Sequence, residues 1–310
     1  MRRVARVAPL LLTLALPASA ATQWPSRELR DRQSGAVHGV AFSPDGTFLA
    51  SADKSGTMIV RMFPGPRVFA TLKGGIFTSA AWSPDGETLV AGSVDGVVFA
   101  WPRPLADETV RNLPYDAPVH AVTVSPSGVI LAGGGGDWAI RRWQLPKFLE
   151  LDPFRGHTDD VYAIAASRDG LIASGGKDRT IRVWDPAGHQ SRVLHGRDDS
   201  VYGLVFSPDG TLLASSYGDG TVALWNTRSW RVAGLMPGPS RPVRRLAVSQ
   251  DGRWLAGAGL DKEVWVWALR DTTPPLLLDG HRGKVNAVAF GPRGLASAAS
   301  DTSVRLWTVP

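Results

Sequence analysis

The sequence predicts an all-β fold made of seven copies of one four-stranded antiparallel unit. Two observations carry this prediction. A turn motif of the form Ser-Pro-Asp-Gly, or a close variant, ends in glycine at seven evenly spaced positions, and an aromatic residue closes a strand at a similar spacing. Because a steady period of 20 to 50 residues indicates a repeated structural unit, we expect a repeat fold rather than an irregular β domain.

The clearest copy runs from residue 156 to residue 185 and reads GHTDDVYAIAASRDGLIASGGKDRTIRVWD. Its apolar residues fall in three short runs, broken at residues 168–170 and 177–179. This pattern predicts three strands joined by hairpins. In the first turn of the other copies, Pro presets φ at one corner, Asp suits the next, and Gly accepts a positive φ.

The markers of the unit recur along the chain. The turn glycines are Gly46, Gly86, Gly128, Gly170, Gly210, Gly252 and Gly294, separated by 40, 42, 42, 40, 42 and 42 residues. The residues predicted to close the third strands are Phe63, Trp101, Trp143, Trp184, Trp225, Trp267 and Trp307. The first copy is the least regular, since it ends in Phe and its turn at residues 52–56 is predicted to be two residues longer.

Seven such units, with glycine-rich turns and a terminal Trp, resemble the WD-repeat β-propeller family over essentially everything after residue 23. The resemblance implies a closed ring of seven four-stranded antiparallel blades, in one domain over residues 21–310. It also implies that an amino-terminal strand near residues 27–31 completes the last blade, and such closure removes exposed sheet edges. We expect a monomer.

An Asp stands six residues before the closing Trp in six copies: Asp95, Asp137, Asp178, Asp219, Asp261 and Asp301. In the family, this turn Asp joins a His, a Ser and a Trp in a hydrogen-bonded structural tetrad. Two copies match it fully, with His157, Ser174, Asp178 and Trp184, and with His281, Ser297, Asp301 and Trp307. A Ser-His-Asp hydrolase triad is the alternative interpretation. Its repetition in two units and the absence of a G-x-S-x-G motif favour the structural role.

A ring of polar and aromatic residues follows the first apolar residue of each predicted inner strand: His38, Thr78, His120, Tyr162, Tyr202, Arg244 and Asn286. The resemblance places these side chains near the central opening, with Lys177 on the rim of the same face. Tyr and Arg are favoured at protein interfaces, so we expect a protein or peptide partner to bind here. A c-type cytochrome is one candidate partner. The alternative is that these residues form an ordinary solvated rim.

The predicted function is therefore a non-catalytic scaffold or adaptor, with no catalytic, cofactor or metal site. None of the six histidines has the spacing of a zinc site, and the Gly133 to Gly136 run lacks the Lys-Ser/Thr of a phosphate loop. The formal charge of +6 falls to +3 if Arg2, Arg3 and Arg6 are removed with an amino-terminal signal, and this is too mild to indicate a nucleic-acid partner. The alternatives are a lactonase-like or quinone-dependent propeller enzyme and a small-ligand sensor, each using the central funnel.

The amino terminus predicts a secretory signal, and hence a bacterial, exported member of the family. Residues 1–6 are basic, residues 7–16 are largely apolar, and Ala18-Ser19-Ala20 fits a small-residue cleavage site. We expect residues 1–20 to be removed and the mature chain to be periplasmic or secreted. A membrane anchor is the alternative, but the apolar run is shorter than the ~20 residues needed to span a bilayer. Paired Arg2 and Arg3 leave twin-arginine export open beside general secretion.

Overall fold

The computed structural model describes residues 24–29, 33–65, 67–271 and 273–309. These residues form seven four-stranded antiparallel sheets, as the repeat predicts. The inner strand of each sheet contacts the inner strands of the two neighbouring sheets, and the last contacts the first, so the sheets are the blades of a closed ring. The predicted fold class is confirmed. No helix in the described part of the chain is long and apolar enough to cross a membrane.

The strands are numbered in chain order, and β1 (Ser26–Leu29) belongs to blade seven. Blade one contains β2 (Val37–Phe42), β3 (Phe48–Asp53), β4 (Thr57–Met62) and β5 (Val68–Lys73), and blade two contains β6 (Phe77–Trp82), β7 (Thr88–Ser93), β8 (Val97–Pro102) and β9 (Arg111–Pro114). A short 3-10 helix, Asp107–Thr109, lies between β8 and β9. Blade three contains β10 (Val119–Val124), β11 (Val129–Gly134), β12 (Ile140–Gln144) and β13 (Leu149–Phe154).

Blade four contains β14 (Val161–Ala166), β15 (Ile172–Gly176), β16 (Thr180–Trp184) and β17 (Gln190–His195). Blade five contains β18 (Val201–Phe206), β19 (Leu212–Tyr217), β20 (Val222–Asn226) and β21 (Arg231–Met236). Blade six contains β22 (Val243–Val248), β23 (Trp254–Gly259), β24 (Val264–Ala268) and β25 (Leu276–Leu278). Blade seven contains β26 (Val285–Gly291), β27 (Gly294–Ala299), β28 (Val304–Trp307) and β1.

The amino-terminal strand closes the ring by pairing with β28. Ser26 lies opposite Trp307 and Leu29 lies opposite Val304. The prediction placed this strand at about residues 27–31; residues 30–32 lie outside the described residues. Leu29 is buried with Val304, which anchors the closing strand through its apolar side.

The turn between the first two strands of most blades is held by its own side chains. In blade one the Ser43 hydroxyl donates to the Asp45 carboxylate at 2.5 Å and accepts the backbone N–H of Phe48 at 2.9 Å. The turn glycine follows, and six of the seven predicted turn glycines have φ between 66° and 85°. Blade seven differs because Gly291 pairs with Gly294 inside the ladder, leaving only Pro292 and Arg293 in the turn.

The core lies between neighbouring blades, where side chains of facing sheets interdigitate. In one cluster, Met58 and Val60 of blade one pack with Leu89 and Trp101 of blade two. In each strand alternate residues face opposite sides, so a four-stranded blade contributes apolar side chains to both of its neighbours. The closing Trp residues are buried in these interfaces, with Trp101, Trp143 and Trp267 among the largest fully buried side chains.

The structure corrects the predicted end of blade one. Arg61 lies opposite Leu49, where Trp184 lies opposite Ile172 in blade four, so Arg61 and not Phe63 occupies the Trp position. The predicted two-residue extension of the preceding turn is therefore wrong: residues 54–56 form a loop as long as residues 94–96 in blade two. Arg61 takes this place because its buried guanidinium donates to the Ser51 hydroxyl at 2.9 Å, as a Trp indole would.

Candidate functional site

A β-bulge in the inner strand of each blade positions the side chains around the central opening. In blade four, Val161 pairs with Gly176 and the next pair is Ala163 with Gly175, so Tyr162 has no partner on β15. A one-residue shift of register occurs at the start of the inner strand in all seven blades. In blade six the irregular segment includes both Arg244 and Arg245, because the pair after Val243 with Gly259 is Leu246 with Gly257. Since a bulge re-aims the side chain of the extra residue, these seven positions leave the normal alternation of the strand.

The side chains at these bulges line one cavity of about 300 Å³, here called the mouth cavity. Its lining consists of His38, Thr78, His120, Tyr162, Tyr202, Arg244, Arg245 and Asn286. Seven of these eight residues are the ring residues that the sequence predicts, and the eighth, Arg245, was not predicted. Lys177 does not line the cavity and instead forms an exposed ion pair with Asp159 at 3.4 Å.

Aromatic side chains form one side of the mouth cavity. The rings of Tyr162 and Tyr202 stack with centroids 5.1 Å apart and planes 9° apart, and His120 meets Tyr162 edge-on at 5.2 Å. Burial raises the pKa of Tyr162 to about 12, with the negative charge of Asp160 contributing. The raised pKa keeps the Tyr162 phenol neutral, and the packing against Tyr202 and His120 restricts the position of its ring. A neutral, restricted ring suits a rigid contact surface.

Two of the lining residues also join neighbouring blades. The Thr78 hydroxyl donates to the Val119 carbonyl at 2.7 Å, and the Asn286 amide donates to the Val37 carbonyl at 2.9 Å. Each bond links an inner strand to the next inner strand of the ring. Thr78 and Asn286 therefore fix the spacing of the blades at the mouth.

Arg245 is the unpredicted member of the set and lies across the central opening. Its Nη2 donates to the carbonyl of His120 at 2.6 Å. Its Nη1 donates to the carbonyl of Arg244 at 3.1 Å and to those of Tyr162 and Tyr202 at 3.4 Å. One guanidinium thus bonds the inner strands of blades three to six. Burial lowers its pKa to about 10, with the neighbouring Arg244 charge contributing.

The sequence does carry a signal for Arg245. At the residue after each bulge the other six blades have small side chains: Gly39, Ser79, Ala121, Ala163, Gly203 and Ala287. These small residues line a second cavity of about 160 Å³ behind the mouth cavity, and Arg245 and His38 line both cavities. Because six blades contribute only small side chains at this position, the channel has room for one large side chain from the seventh.

The mouth cavity is electropositive. Burial lowers the pKa of His38 to about 4, and the charges of Lys54, Arg244 and Arg245 add to the effect, so His38 is neutral at pH 7. Burial also lowers the pKa of His120, although Asp160 opposes it across 3.7 Å. The charged side chains of the lining are therefore Arg244 and Arg245. Among the described residues neither forms an ion pair, and no carboxylate lines the cavity.

The Ser-His-Asp sets lie elsewhere, between strands. In blade four, His157 contacts Asp178 through Nδ1 at 2.7 Å and Ser174 through Nε2 at 2.8 Å. The Trp184 indole donates to the Ser174 hydroxyl at 3.0 Å. These bonds are all satisfied when a neutral His157 carries its proton on Nδ1. Burial alone raises the pKa of Asp178, but bonds from His157 and Thr180 outweigh it and hold the pKa well below its usual range.

Blade seven repeats the arrangement with one difference. His281 contacts Ser297 through Nε2 at 2.7 Å, and Trp307 donates to the same hydroxyl at 2.8 Å. The Nδ1 atom lies 3.0 Å from the Ser303 hydroxyl and 3.3 Å from Asp301. Burial lowers the pKa of His281, although Asp301 opposes the effect. Burial raises the pKa of Asp301, but hydrogen bonds from Ser303 and the Arg282 N–H outweigh it.

Neither set has the accessibility that a hydrolase requires. Ser174 and Ser297 are both 0% exposed. A nucleophile must reach the substrate, and each of these hydroxyls already contacts a His and a Trp. Each set is therefore a buried, hydrogen-bonded group within its blade.

The remaining blades replace parts of the set with other side chains. In blade five the Trp225 indole donates to the Ser215 hydroxyl at 2.9 Å, and that hydroxyl donates to Tyr217 at 3.0 Å. Arg197, at the His position, pairs with Asp219 at 2.7 Å. In blade one Gln33 donates to the Ser51 hydroxyl at 2.7 Å.

The other turn aspartates also bond locally. Asp95 accepts the backbone N–H of Ile76 at 2.7 Å, and Asp137 pairs with Arg155 at 3.3 Å. Asp261 accepts the indole N–H of Trp265 at 3.0 Å. Over the described residues no three His, Cys, Asp or Glu side chains form a group that could hold a metal ion.

Comparison with known proteins identifies the repeats independently. The family model "WD domain, G-beta repeat" matches residues 24–61, 67–102, 149–185, 188–226, 230–268 and 273–308. The stretch from 103 to 148, which contains most of blade three, lies between two of these matches. In this blade Tyr115 and Ala132 occupy the positions of the His and the Ser.

The chain is also similar to individual proteins over part of its length. It is 32% identical over 122 residues to protein HIR1 of Mycosarcoma maydis, a match to 38% of this chain and 12% of that protein. It is 30% identical over 150 residues to a chromatin assembly factor 1 subunit FAS2 homolog of Oryza sativa, covering 43% of this chain and 30% of the relative. An uncharacterized WD repeat-containing protein of Synechocystis sp. is 33% identical over 117 residues, covering 37% and 33%. The chain thus spans a third or less of the length of these relatives.

Proposed function

Because the chain belongs to the WD-repeat family, we propose that it is a non-catalytic scaffold that binds a protein or peptide partner at the mouth cavity. WD-repeat proteins typically act as scaffolds for protein interactions. The observation that carries the proposal is the seven-fold set of bulges, which directs a polar or aromatic side chain from every blade into one cavity. A ring of seven blades holds these side chains with little freedom, so binding costs little ordering entropy.

The stacked Tyr162 and Tyr202 are the contacts expected to contribute most to binding. Large aromatic residues that offer area with few rotatable bonds are frequent hot spots of interfaces. The geometry offers no comparable support for an enzyme, since the hydroxyls of Ser174 and Ser297 are buried and inaccessible.

Affinity capture with the mature chain tests the proposal. Tyr162→Ala combined with Tyr202→Ala is expected to lose specific partners that the wild-type chain retains, with the fold checked by circular dichroism. Phe69→Ala is the matched control, because Phe69 is an exposed aromatic residue on the outer strand β5. Identical captured proteins for the wild type and the double variant would refute binding at the mouth cavity.

We further propose that the chain is exported from a bacterial cell and acts in the periplasm or outside the cell. The support is the sequence pattern of residues 1–20, which lie outside the described residues. The mature chain then needs no disulfide, since it has no cysteine and closes its ring through β1. Fractionation followed by amino-terminal sequencing tests this: export predicts a chain beginning at Ala21, and an intact Met1 in the cytoplasm would refute it.

A further inference from the structure

The mouth cavity contains two positive charges that the described part of the chain does not neutralise. Arg244 and Arg245 are adjacent, both line the cavity, and neither forms an ion pair with a described carboxylate. Asp160 faces His120 at 3.7 Å and does not line the cavity. Both arginines are partly buried. A charge that is partly removed from water and has no counter-charge is costly, so such a pair of guanidinium groups favours an incoming anion.

Arg245 is also held in advance of binding. Four backbone carbonyls, from four different inner strands, fix its guanidinium through Nη1 and Nη2. A guanidinium has five N–H donors, and Nε of Arg245 bonds no acceptor in the described residues. The group is therefore ordered and retains capacity to donate.

The other ring positions make Arg245 a specific feature of this chain. Six blades place Gly, Ser or Ala at the corresponding residue, and only blade six places a long cationic side chain there. If the role of this position were to fill the channel, an apolar side chain would match the small, uncharged residues around it without the cost of partly burying a charge.

We propose that the mouth cavity recognises a carboxylate, carried by an acidic side chain of a peptide, through Arg244 and Arg245. This inference rests on the proposed function and specifies the chemistry of its partner. The planar guanidinium matches the two oxygens of a carboxylate and donates charge-assisted hydrogen bonds to them. The stacked Tyr162 and Tyr202 then contact the residues beside the acid. A cationic peptide is disfavoured, because it would meet two guanidinium groups.

The test uses three pools of fluorescein-labelled random octapeptides that carry a fixed central Glu, Gln or Lys. Retention on the immobilised mature chain is expected in the order Glu, Gln, Lys. Arg245→Met is expected to reduce retention of the Glu pool by about tenfold to a hundredfold, because a charged hydrogen bond is lost. Arg245→Lys keeps the charge and is expected to restore part of the retention. Thermal melts of each variant check that the ring is folded.

A matched charge control separates local recognition from net charge. Arg228 is exposed in the loop between β20 and β21, at the opposite end of blade five, so Arg228→Gln is expected to leave retention of the Glu pool unchanged. Competition with free N-acetylglutamate distinguishes the source of the carboxylate. If the site recognises an acidic residue within a peptide, N-acetylglutamate at equal concentration is expected to leave the Glu pool bound. If the site recognises a small free acid, N-acetylglutamate would displace the pool.

Equal retention of the Glu and Gln pools would overturn the proposal, as would unchanged Glu retention in folded Arg245→Met. If the three pools are retained equally and retention is lost in the Tyr162→Ala and Tyr202→Ala double variant, the carboxylate anchor fails while the proposed function stands. If no pool depends on these tyrosines or on Arg245, both fail.

Discussion

Replacing His157 by Ala tests the idea that the buried polar set in blade four stabilises the ring. The His157 side chain is 1% exposed and contacts both Asp178 and Ser174. The bond to the carboxylate is charge-assisted and contributes about 2 kcal/mol, while the bond to the hydroxyl contributes about 1 kcal/mol. The free energy of unfolding is therefore expected to fall by about 3 kcal/mol, which lowers the melting temperature by about 6 °C.

Two further variants make the measurement specific. His189 is 82% exposed and pairs with Asp185, so His189→Ala is expected to cost less than about 0.5 kcal/mol. Gln33 occupies the His position in blade one and donates to Ser51, so His157→Gln is expected to recover about 1 kcal/mol by donating to Ser174. Urea titration and calorimetry measure all three. Equal stability of His157→Ala and His189→Ala would refute the reasoning.

Three other outcomes are expected. Burial lowers the pKa of His281, so the unfolded chain binds a proton at this residue more readily than the folded chain does, and the stability that the neutral residue contributes above about pH 6.5 is lost as the pH falls. The difference between the melting temperatures at about pH 7.5 and pH 5.5 is therefore expected to be smaller in His281→Gln than in the wild type. An equal difference in both proteins would contradict this. Trp184→Phe is expected to lower the free energy of unfolding by about 1 kcal/mol more than Trp101→Phe does. The reason is that the Trp184 indole donates to Ser174, whereas the Trp101 indole N–H has no partner among the described residues. Equal urea midpoints for the two variants would argue against a contribution from the Trp184 bond. Leu29→Glu is expected to lower the free energy of unfolding by about 3 kcal/mol, because it buries a carboxylate in the closing strand β1. Trypsin is therefore expected to cleave this variant faster than the wild type. Cleavage at the wild-type rate would contradict the prediction.

Most of the fold follows from spacing alone. The turn glycines repeat at 40 or 42 residues, and this spacing predicts the number of blades and the place of the first hairpin in each blade. The end of blade one was misassigned because the sequence pattern asks for an aromatic residue, and Phe63 lies two positions beyond Arg61. Only the register shows that a guanidinium can take the place of an indole, since both donate to the same Ser hydroxyl.

The candidate site was predicted in position but not in electrostatics. The seven ring residues follow from counting along each inner strand, because each bulge falls at the same step of the repeat. Arg245 was missed because the residue after a bulge normally returns to strand alternation and is small in the other blades. Its bonds run to His120, Tyr162 and Tyr202, as many as 125 residues away, and no local pattern encodes contacts of that range.

The pairing of β1 with β28 has a consequence for how the chain reaches its native state. Glu28 and Arg305 form an ion pair across 277 residues of sequence, so blade seven is incomplete until β28 has been synthesised. Linear repeat arrays nucleate anywhere and grow from neighbour to neighbour, whereas a ring gains its final interface only at the end. During most of synthesis the chain is therefore an open arc with unpaired strand edges. In a circularly permuted chain cut between two intact blades, the late step would be the packing of the first blade against the last and not the pairing of β1 with β28.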